Sequence, residues 1–120
     1  MPIPGRKKKS SDAVLKAKLL SLKKSYGGAS HVAEAVHVDK SRVSRWLKGA
    51  APDAKNAKTI SSLEFVLHRL TTFLREETAL KWLEAENNHL ARRRPLDLIL
   101  QDRVADVISA VDQEKSGSYA

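Results

Sequence analysis

A stretch of twenty residues, 30–49, limits what this chain can fold into more than any other part of it. Its apolar residues recur at spacings that place them on the inner faces of two short helices; they are Ala33, Val36, Val43, Trp46 and Leu47. Val38 lies where the two helices join and can fill the turn, while Asp39 can cap the second helix. This pattern predicts a helix-turn-helix, with the second helix held against the first by its buried side chains.

The polar residues of the second helix form a face that suits the major groove of DNA. They are Lys40, Ser41, Arg42, Ser44, Arg45 and Lys48. Arg reads guanine edges, whereas Ser and Lys reach bases and phosphates. Because Arg42 and Arg45 lie on one side of the helix, either could read a base while the other contacts the backbone. The alternative is a solvated, charged face on an ordinary helical domain.

Two further features of the first half could add DNA contacts. Ser30 is the expected N-cap of the first of these helices, whose first turn would present unpaired N–H groups to a phosphate. Residues 1–10 combine two prolines, a glycine and four consecutive basic residues, so we expect a disordered basic arm. Such an arm can reach a phosphate or the minor groove, but it can equally be a solubilising tail.

The charge is divided unevenly along the sequence. Up to Lys58 there are 14 Lys or Arg against 4 Asp or Glu, a net charge of +10, and from Thr59 onward 8 against 10, a net charge of −2. A basic first half attracts a polyanion, whereas a mildly acidic, apolar-rich second half is better suited to contacting protein. The alternative is that the basic residues only keep the chain soluble.

The sequence offers little for catalysis, metal binding or membrane insertion. There is no cysteine, and the four histidines lie in three separate elements without metal-ligand spacing; they are His31, His37, His68 and His89. Ser41 and Ser44 have no neighbouring base, and no glycine-rich phosphate loop is present. We therefore predict no enzyme, no cofactor and no metal site. The absence of a long apolar run and of a signal-peptide centre in Met1–Ser10 predicts a cytoplasmic protein that does not enter the membrane.

Helical periodicity covers the rest of the chain, and the fold is predicted to be all-α, with an N-terminal helix-turn-helix domain joined to a small C-terminal helical domain. The first helix should start at Ser11 or Asp12 and end at Gly27-Gly28. Later helices are predicted at 59–75, 76–86 and 95–100, and from Val104 to a stop at Gly117. The predicted divisions are the arm 1–10, a DNA-binding domain 11–58 and a helical domain 59–120 that binds another protein, which the resemblance described below implies to be a toxin, or that oligomerises.

The C-terminal half carries more apolar residues than a small helical unit easily hides, which favours a protein interface. These residues are Trp82, Leu96, Leu98, Ile99 and Leu100, although Trp82 is as consistent with a core position as with an interface. The run Arg92-Arg93-Arg94 is usually solvated, but beside an acidic partner it would dock.

Two stretches together carry a family resemblance from about Asp12 to Gly117. The helix-turn-helix is similar to Xre-like repressors, and the later residues Trp82-Leu83, Asn87, Leu90 and Arg94-Pro95-Leu96-Asp97-Leu98-Ile99 resemble the C-terminal domain of Xre/MbcA/ParS-type antitoxins. The resemblance implies a repressor of its own operon that also binds and occludes a RES-domain toxin, an NAD-consuming protein. It further implies that the polar tail 112–120, including Tyr119, becomes ordered near the toxin's active site.

At three positions this chain has another residue where these families usually have glycine. His37 stands at the start of the helix-turn-helix turn, where positive φ is usual, and we expect the turn to form there at modest cost. Ala91 and Arg92 stand in place of glycines in the C-terminal domain.

The family resemblance implies candidate contacts and assemblies. The DNA-contacting candidates are Ser30, Lys40, Ser41, Arg42, Ser44, Arg45 and Lys48; the toxin-contacting candidates are Trp82, Arg92, Arg93, Arg94, Leu96 and Tyr119. Binding to a palindromic operator calls for a homo-oligomer or a toxin–antitoxin hetero-oligomer. The alternatives are a stand-alone helix-turn-helix regulator whose second half dimerises or senses a ligand, and a protein-interaction module whose basic arm is incidental.

Overall fold

A computed structural model describes residues 4–118, with side chains from Asp12 to Gly117. These residues form seven α-helices and one 3-10 turn: α1 Pro4–Tyr26, α2 Ala29–Val36, α3 Lys40–Leu47, α4 Ala54–Thr71, α5 Glu76–Glu84, the 3-10 turn Asn88–Leu90, α6 Pro95–Leu100 and α7 Val104–Ser118. Residues 4–118 contain no β-strand, only one isolated bridge between Asn87 and Arg93. The all-α prediction is confirmed.

The chain divides into two compact units, residues 1–61 and 62–120, so that the division falls within α4. The first unit contains the helix-turn-helix, α2 and α3, packed with α1. Its core is apolar and is formed by Leu19, Leu22, Val32, Val36, Val43 and Trp46, all less than 9% exposed. Trp46 is 6% exposed and is therefore a core residue, as its spacing indicated. The division lies between Ser61 and Ser62, close to the predicted boundary after Lys58.

The first helix starts earlier than the sequence pattern predicts. α1 begins at Pro4, not at Ser11 or Asp12, because proline is tolerated in a first turn and Lys and Arg are good helix formers. Residues 1–3 of the predicted disordered arm 1–10 lie outside the described residues. Residues 4–10, which were also predicted to be disordered, belong to α1. α1 ends at Tyr26, directly before Gly27-Gly28 as predicted, and φ of Gly27 is +82°.

One other helix start differs from the prediction. α2 begins at Ala29 with Gly28 as the N-cap residue, so Ser30 lies inside the first turn and is not the cap. α4 begins at Ala54, within residues 50–58, where the sequence pattern indicates a loop and the start of the following helix although apolar periodicity begins only after Lys58. α4 ends at Thr71, not Arg75, and the chain turns as Leu74 N–H donates to the Leu70 carbonyl at 2.8 Å.

The second unit buries most of the apolar residues that were expected to be exposed. Its core is formed by Leu63, Val66, Leu67, Leu70, Ala79, Leu83, Leu90, Leu96, Leu98, Ile99, Val107, Ala110 and Val111. Leu96, Leu98 and Ile99 are at most 3% exposed, because α6 packs against both α5 and α7. α6 spans the residues predicted for it, and α7 continues to Ser118, so most of the tail 112–120 is helical.

Candidate nucleic-acid interface and partner surface

The turn of the helix-turn-helix is made by His37 in a left-handed conformation, with φ 58° and ψ 47°. The next residue closes the turn: Val38 N–H donates to the Ala33 carbonyl at 3.0 Å. The chain then becomes extended at Asp39, which precedes α3 but makes no capping hydrogen bond through its side chain. The positive φ expected at His37 is confirmed.

One face of α3 is buried and the opposite face is exposed, as the spacing of the apolar residues predicted. Val43 and Trp46 point into the core, at 0% and 6% exposed. The candidate DNA-contacting residues lie on the other side: Lys40, Ser41, Arg45 and Lys48 are exposed, and Arg42 and Ser44 are half-buried. Ser30 is also exposed, in the first turn of the adjacent α2. This arrangement leaves a basic, hydroxyl-bearing helix face free to meet a polyanion.

Arg42 differs from the other cations of this face because its guanidinium is held in place. Its Nη2 donates to Asp53 Oδ1 at 3.1 Å, and its Cζ lies 5.5 Å from the centre of the Trp46 ring. The side chain of Arg42 is still 41% exposed. The Arg45 guanidinium, by contrast, makes no hydrogen bond or ion pair with the part of the chain that the structure describes.

Asp53 is itself fixed at the start of α4. Its Oδ1 also accepts a hydrogen bond from Asn56 Nδ2 at 2.6 Å, and its carbonyl accepts from Ala57 N–H at 2.8 Å. The pKa of the Asp53 carboxyl lies below its usual value, mainly because Asn56 donates to the carboxylate and to a smaller extent because Arg42 is positively charged. Asp53 is therefore a carboxylate at neutral pH.

The toxin-contacting candidates of the second unit are placed very differently from one another. Arg92 is largely exposed and pairs with Glu86 at 3.5 Å, while Arg93 Nε donates to the Leu90 carbonyl at 3.3 Å. Arg94 grips Asp97 with two hydrogen bonds, Nε to Oδ2 at 3.0 Å and Nη2 to Oδ1 at 2.8 Å. The three arginines thus lie on an exposed loop with defined anchors.

The other three toxin-contacting candidates are not exposed residues of this loop. Trp82 is half-buried. Leu96 is 3% exposed, so the prediction that it contacts a partner is wrong: the side chain is part of the core. Tyr119 lies outside the described residues.

The loop that carries the arginines contains two consecutive left-handed residues, Ala91 with φ 54° and Arg92 with φ 66°. Asn87, which is 8% exposed, holds this loop by hydrogen bonds from its buried side. The Asn87 carbonyl accepts from Arg92 N–H at 2.8 Å, and its Oδ1 accepts from His89 N–H at 2.9 Å. Ala91 and Arg92 stand where the antitoxin resemblance implies glycines, and they adopt the left-handed conformation without them.

Comparison with known proteins gives one informative result. No protein-family model matches the sequence, and no curated protein matches it. Among solved structures, the chain is similar to a chain of the M. tuberculosis MbcT–MbcA toxin–antitoxin complex, with a TM-score of 0.71 and 24% sequence identity over 87% of this chain and 96% of that chain. The two chains share a fold. The resemblance to Xre/MbcA/ParS-type antitoxins is thereby confirmed at the level of the fold.

Sequence reasoning missed two residues of these sites, Asp53 and Asn87. Asp53 lies in residues 50–58, whose composition is typical of a loop and the start of the following helix, and that pattern does not indicate a contact with Arg42. The Asp53-x-x-Asn56 spacing at a helix start was the one available signal for its capping role. Asn87 directly follows the helix predicted at 76–86, but its burial depends on contacts that no local pattern reveals.

The described residues show neither a metal-binding cluster nor a membrane-spanning helix. Among them, no three His, Asp or Glu side chains are grouped so that they could hold a metal ion. None of the helices in residues 4–118 is both long enough and apolar enough to cross a bilayer.

Proposed function

We propose that this protein is the antitoxin of a type II toxin–antitoxin system. Its second unit binds and occludes a RES-type, NAD-consuming toxin, and its helix-turn-helix represses its own operon. The observation that carries the proposal is the shared fold with a chain of a toxin–antitoxin complex over 87% of the sequence. Such a protein acts in the cytoplasm, where both its operator and its toxin are found.

Support for the DNA-binding half comes from the exposed face of α3. Its cations, Lys40, Arg42, Arg45 and Lys48, extend from a helix whose opposite face is locked into the core by Val43 and Trp46. A rigid helix with its cations outside is what the major groove requires. We propose that Ser30, Ser41 and Ser44 add contacts to phosphates or bases, and that a dimer or larger assembly places two recognition helices about one DNA turn apart.

The DNA-binding half is tested by measuring the affinity of the full chain for a duplex from the region upstream of its own gene, at several salt concentrations. Neutralised phosphates release counterions, so we expect the logarithm of the affinity to fall steeply and linearly with the logarithm of the salt concentration. Binding that does not depend on salt would contradict this half of the proposal and favour a pure protein-interaction module.

Support for the toxin-binding half comes from the exposed loop of Arg92, Arg93 and Arg94. Its conformation is fixed by the buried Asn87 and by the pair of Arg94 with Asp97, so the arginines are presented without much loss of backbone freedom on binding. We propose that Arg92 and Arg93 dock an acidic surface of the toxin, together with the half-buried Trp82. Tyr119 remains a candidate for the contact near the toxin's active site.

The toxin-binding half is tested by adding the purified chain to the protein encoded next to its gene and following NAD consumption. We expect inhibition by the wild-type chain and weaker inhibition by the Arg92→Glu/Arg93→Glu variant. Arg75→Glu is the matched control: it reverses another exposed arginine of the same unit, just before α5, and inhibition should stay as in wild type. If even the wild-type chain leaves NAD consumption unchanged, a stand-alone transcription regulator is the better description.

A further inference from the structure

We propose that Asp53 is a positioning residue that aims Arg42 at a base edge, which makes Arg42 the base-reading arginine and Arg45 the one that contacts the backbone. The sequence alone leaves these two roles open, because both arginines lie on the same side of α3. This inference rests on the proposed DNA binding by α3 and adds to it the division of roles and the residue that causes it.

The Arg42 guanidinium is restrained from two directions and remains open in a third. Asp53 Oδ1 accepts from Nη2 at 3.1 Å, and the Trp46 ring lies under the guanidinium, with its centre 5.5 Å from Cζ. Neither Nε nor Nη1 of Arg42 donates a hydrogen bond to the residues that the structure describes. A planar guanidinium with donors to spare can still form the paired hydrogen bonds that recognise guanine O6 and N7.

The anchor on the protein side is rigid. Asp53 Oδ1 is shared with Asn56 Nδ2 at 2.6 Å, and the Asp53 carbonyl accepts from Ala57 N–H at 2.8 Å, so the carboxylate is tied to the first turn of α4. Arg42 is thus connected to two elements, its own helix and the start of the next one. A long side chain held in this way loses less conformational freedom when it meets a base.

Capping of α4 explains a polar side chain at position 53 but not its negative charge, because Asn caps about as well as Asp. Neither ion-pair stability nor general DNA affinity explains the charge either. The pair is half-exposed on both sides, at 41% and 52%, and ion pairs of that kind add little to folding. A negative charge beside a phosphate-binding face also opposes binding to any duplex, whatever its sequence. Aiming Arg42 is the remaining role, and it improves discrimination between sequences at some cost in affinity.

Arg45 has the opposite properties. It is exposed, and no residue of the described chain fixes its guanidinium. A mobile cation on a flexible stem matches the requirements of a phosphate contact, which depends on charge more than on orientation.

The test compares the affinity of the full chain for two duplexes, the region upstream of its own gene and a shuffled duplex of equal length and composition. Asp53→Asn removes the charge but keeps a capping side chain. We expect it to raise affinity for the shuffled duplex roughly threefold and to lower the preference for the upstream duplex about tenfold, a part of what one bidentate contact supplies. Asp39→Asn is the matched control: it removes another exposed carboxylate, directly before α3, whose side chain makes no capping hydrogen bond, so the preference should persist.

Two arginine variants complete the experiment. In an Arg42→Ala background, Asp53→Asn should cause no further loss of preference, since its effect passes through Arg42. Arg45→Ala should weaken binding to both duplexes about equally and reduce the salt slope by about one. Should Asp53→Asn fold poorly, Asp53→Ser also keeps a capping side chain without the charge and should lower the preference in the same way. Arg42→Lys tests the base-reading role itself: it keeps the charge, loses the planar fork, and is expected to bind the shuffled duplex normally while losing the preference.

The outcomes separate this inference from the proposed function. Suppose that the wild-type chain prefers the upstream duplex. The positioning role is then overturned, while DNA binding stands, if Asp53→Asn keeps that preference. It is also overturned if Asp53→Asn lowers the preference as much in the Arg42→Ala background as in the wild-type chain. If the wild-type chain binds neither duplex in a salt-dependent way, the DNA-binding proposal is overturned, and the role of Asp53 falls with it.

Discussion

Replacing His37 by glycine should stabilise the first unit. His37 adopts φ 58° and ψ 47°, a left-handed conformation that costs an L-residue with a Cβ roughly 1–2 kcal/mol. Glycine avoids that cost but loses about 0.5–1 kcal/mol more backbone entropy on folding. The His37 side chain is exposed and makes no hydrogen bond to the described residues, so its removal takes away little else. The net expectation is a gain of about 0.5–1 kcal/mol in the free energy of unfolding.

The assay is urea or thermal denaturation of the full chain followed by circular dichroism. A gain of this size should raise the melting temperature of a unit of this length by roughly 2–8 °C. Glu34→Gly is the matched control: Glu34 is exposed inside α2 with helical backbone, so glycine there should lower stability by about 1 kcal/mol. If His37→Gly destabilises as much as Glu34→Gly does, the turn does not hold His37 in the left-handed region.

Three further predictions follow from the same structure. Ala91→Gly relieves the left-handed backbone of the arginine loop and should raise the stability of the second unit by about 0.5–1 kcal/mol in the same assay; a loss of stability would contradict the loop geometry. Leu96→Ala should cost about 2–5 kcal/mol in urea unfolding because it opens a cavity in the core, whereas an unchanged midpoint would mean that Leu96 is exposed. The Asp53 carboxyl should titrate below 3.8 in an NMR pH series, so the Arg42 contact persists from neutral pH downward and is lost only as the pH falls through that lowered pKa; a midpoint above 3.8 would exclude the contact with Asn56.

Local patterns in the sequence predict much of this fold. The spacing of Val43 and Trp46 correctly assigned the inner face of α3, because a helical period fixes which side chains share a face. Pro95 and Asp97 correctly marked the start of α6, since both suit a first helical turn.

Local sequence patterns did not predict the features that depend on tertiary contacts. Leu96 looked like an interface residue because sequence spacing does not tell a core neighbour from a partner, and only the packing of α6 against α5 and α7 decides it. The contact of Asp53 with Arg42 was not predicted, because it joins positions eleven apart in the chain. Both errors concern contacts between elements, which periodicity does not encode.

The central claim is that the toxin-neutralising and DNA-binding functions belong to different parts of the chain. The most direct test is growth of cells that co-express the protein encoded next to the gene with the full chain carrying Arg42→Ala and Arg45→Ala. We expect full rescue of growth by this variant although it no longer binds the upstream duplex. Failure of the folded variant to rescue growth where the wild-type chain does, or absence of rescue by the wild-type chain itself, would contradict it.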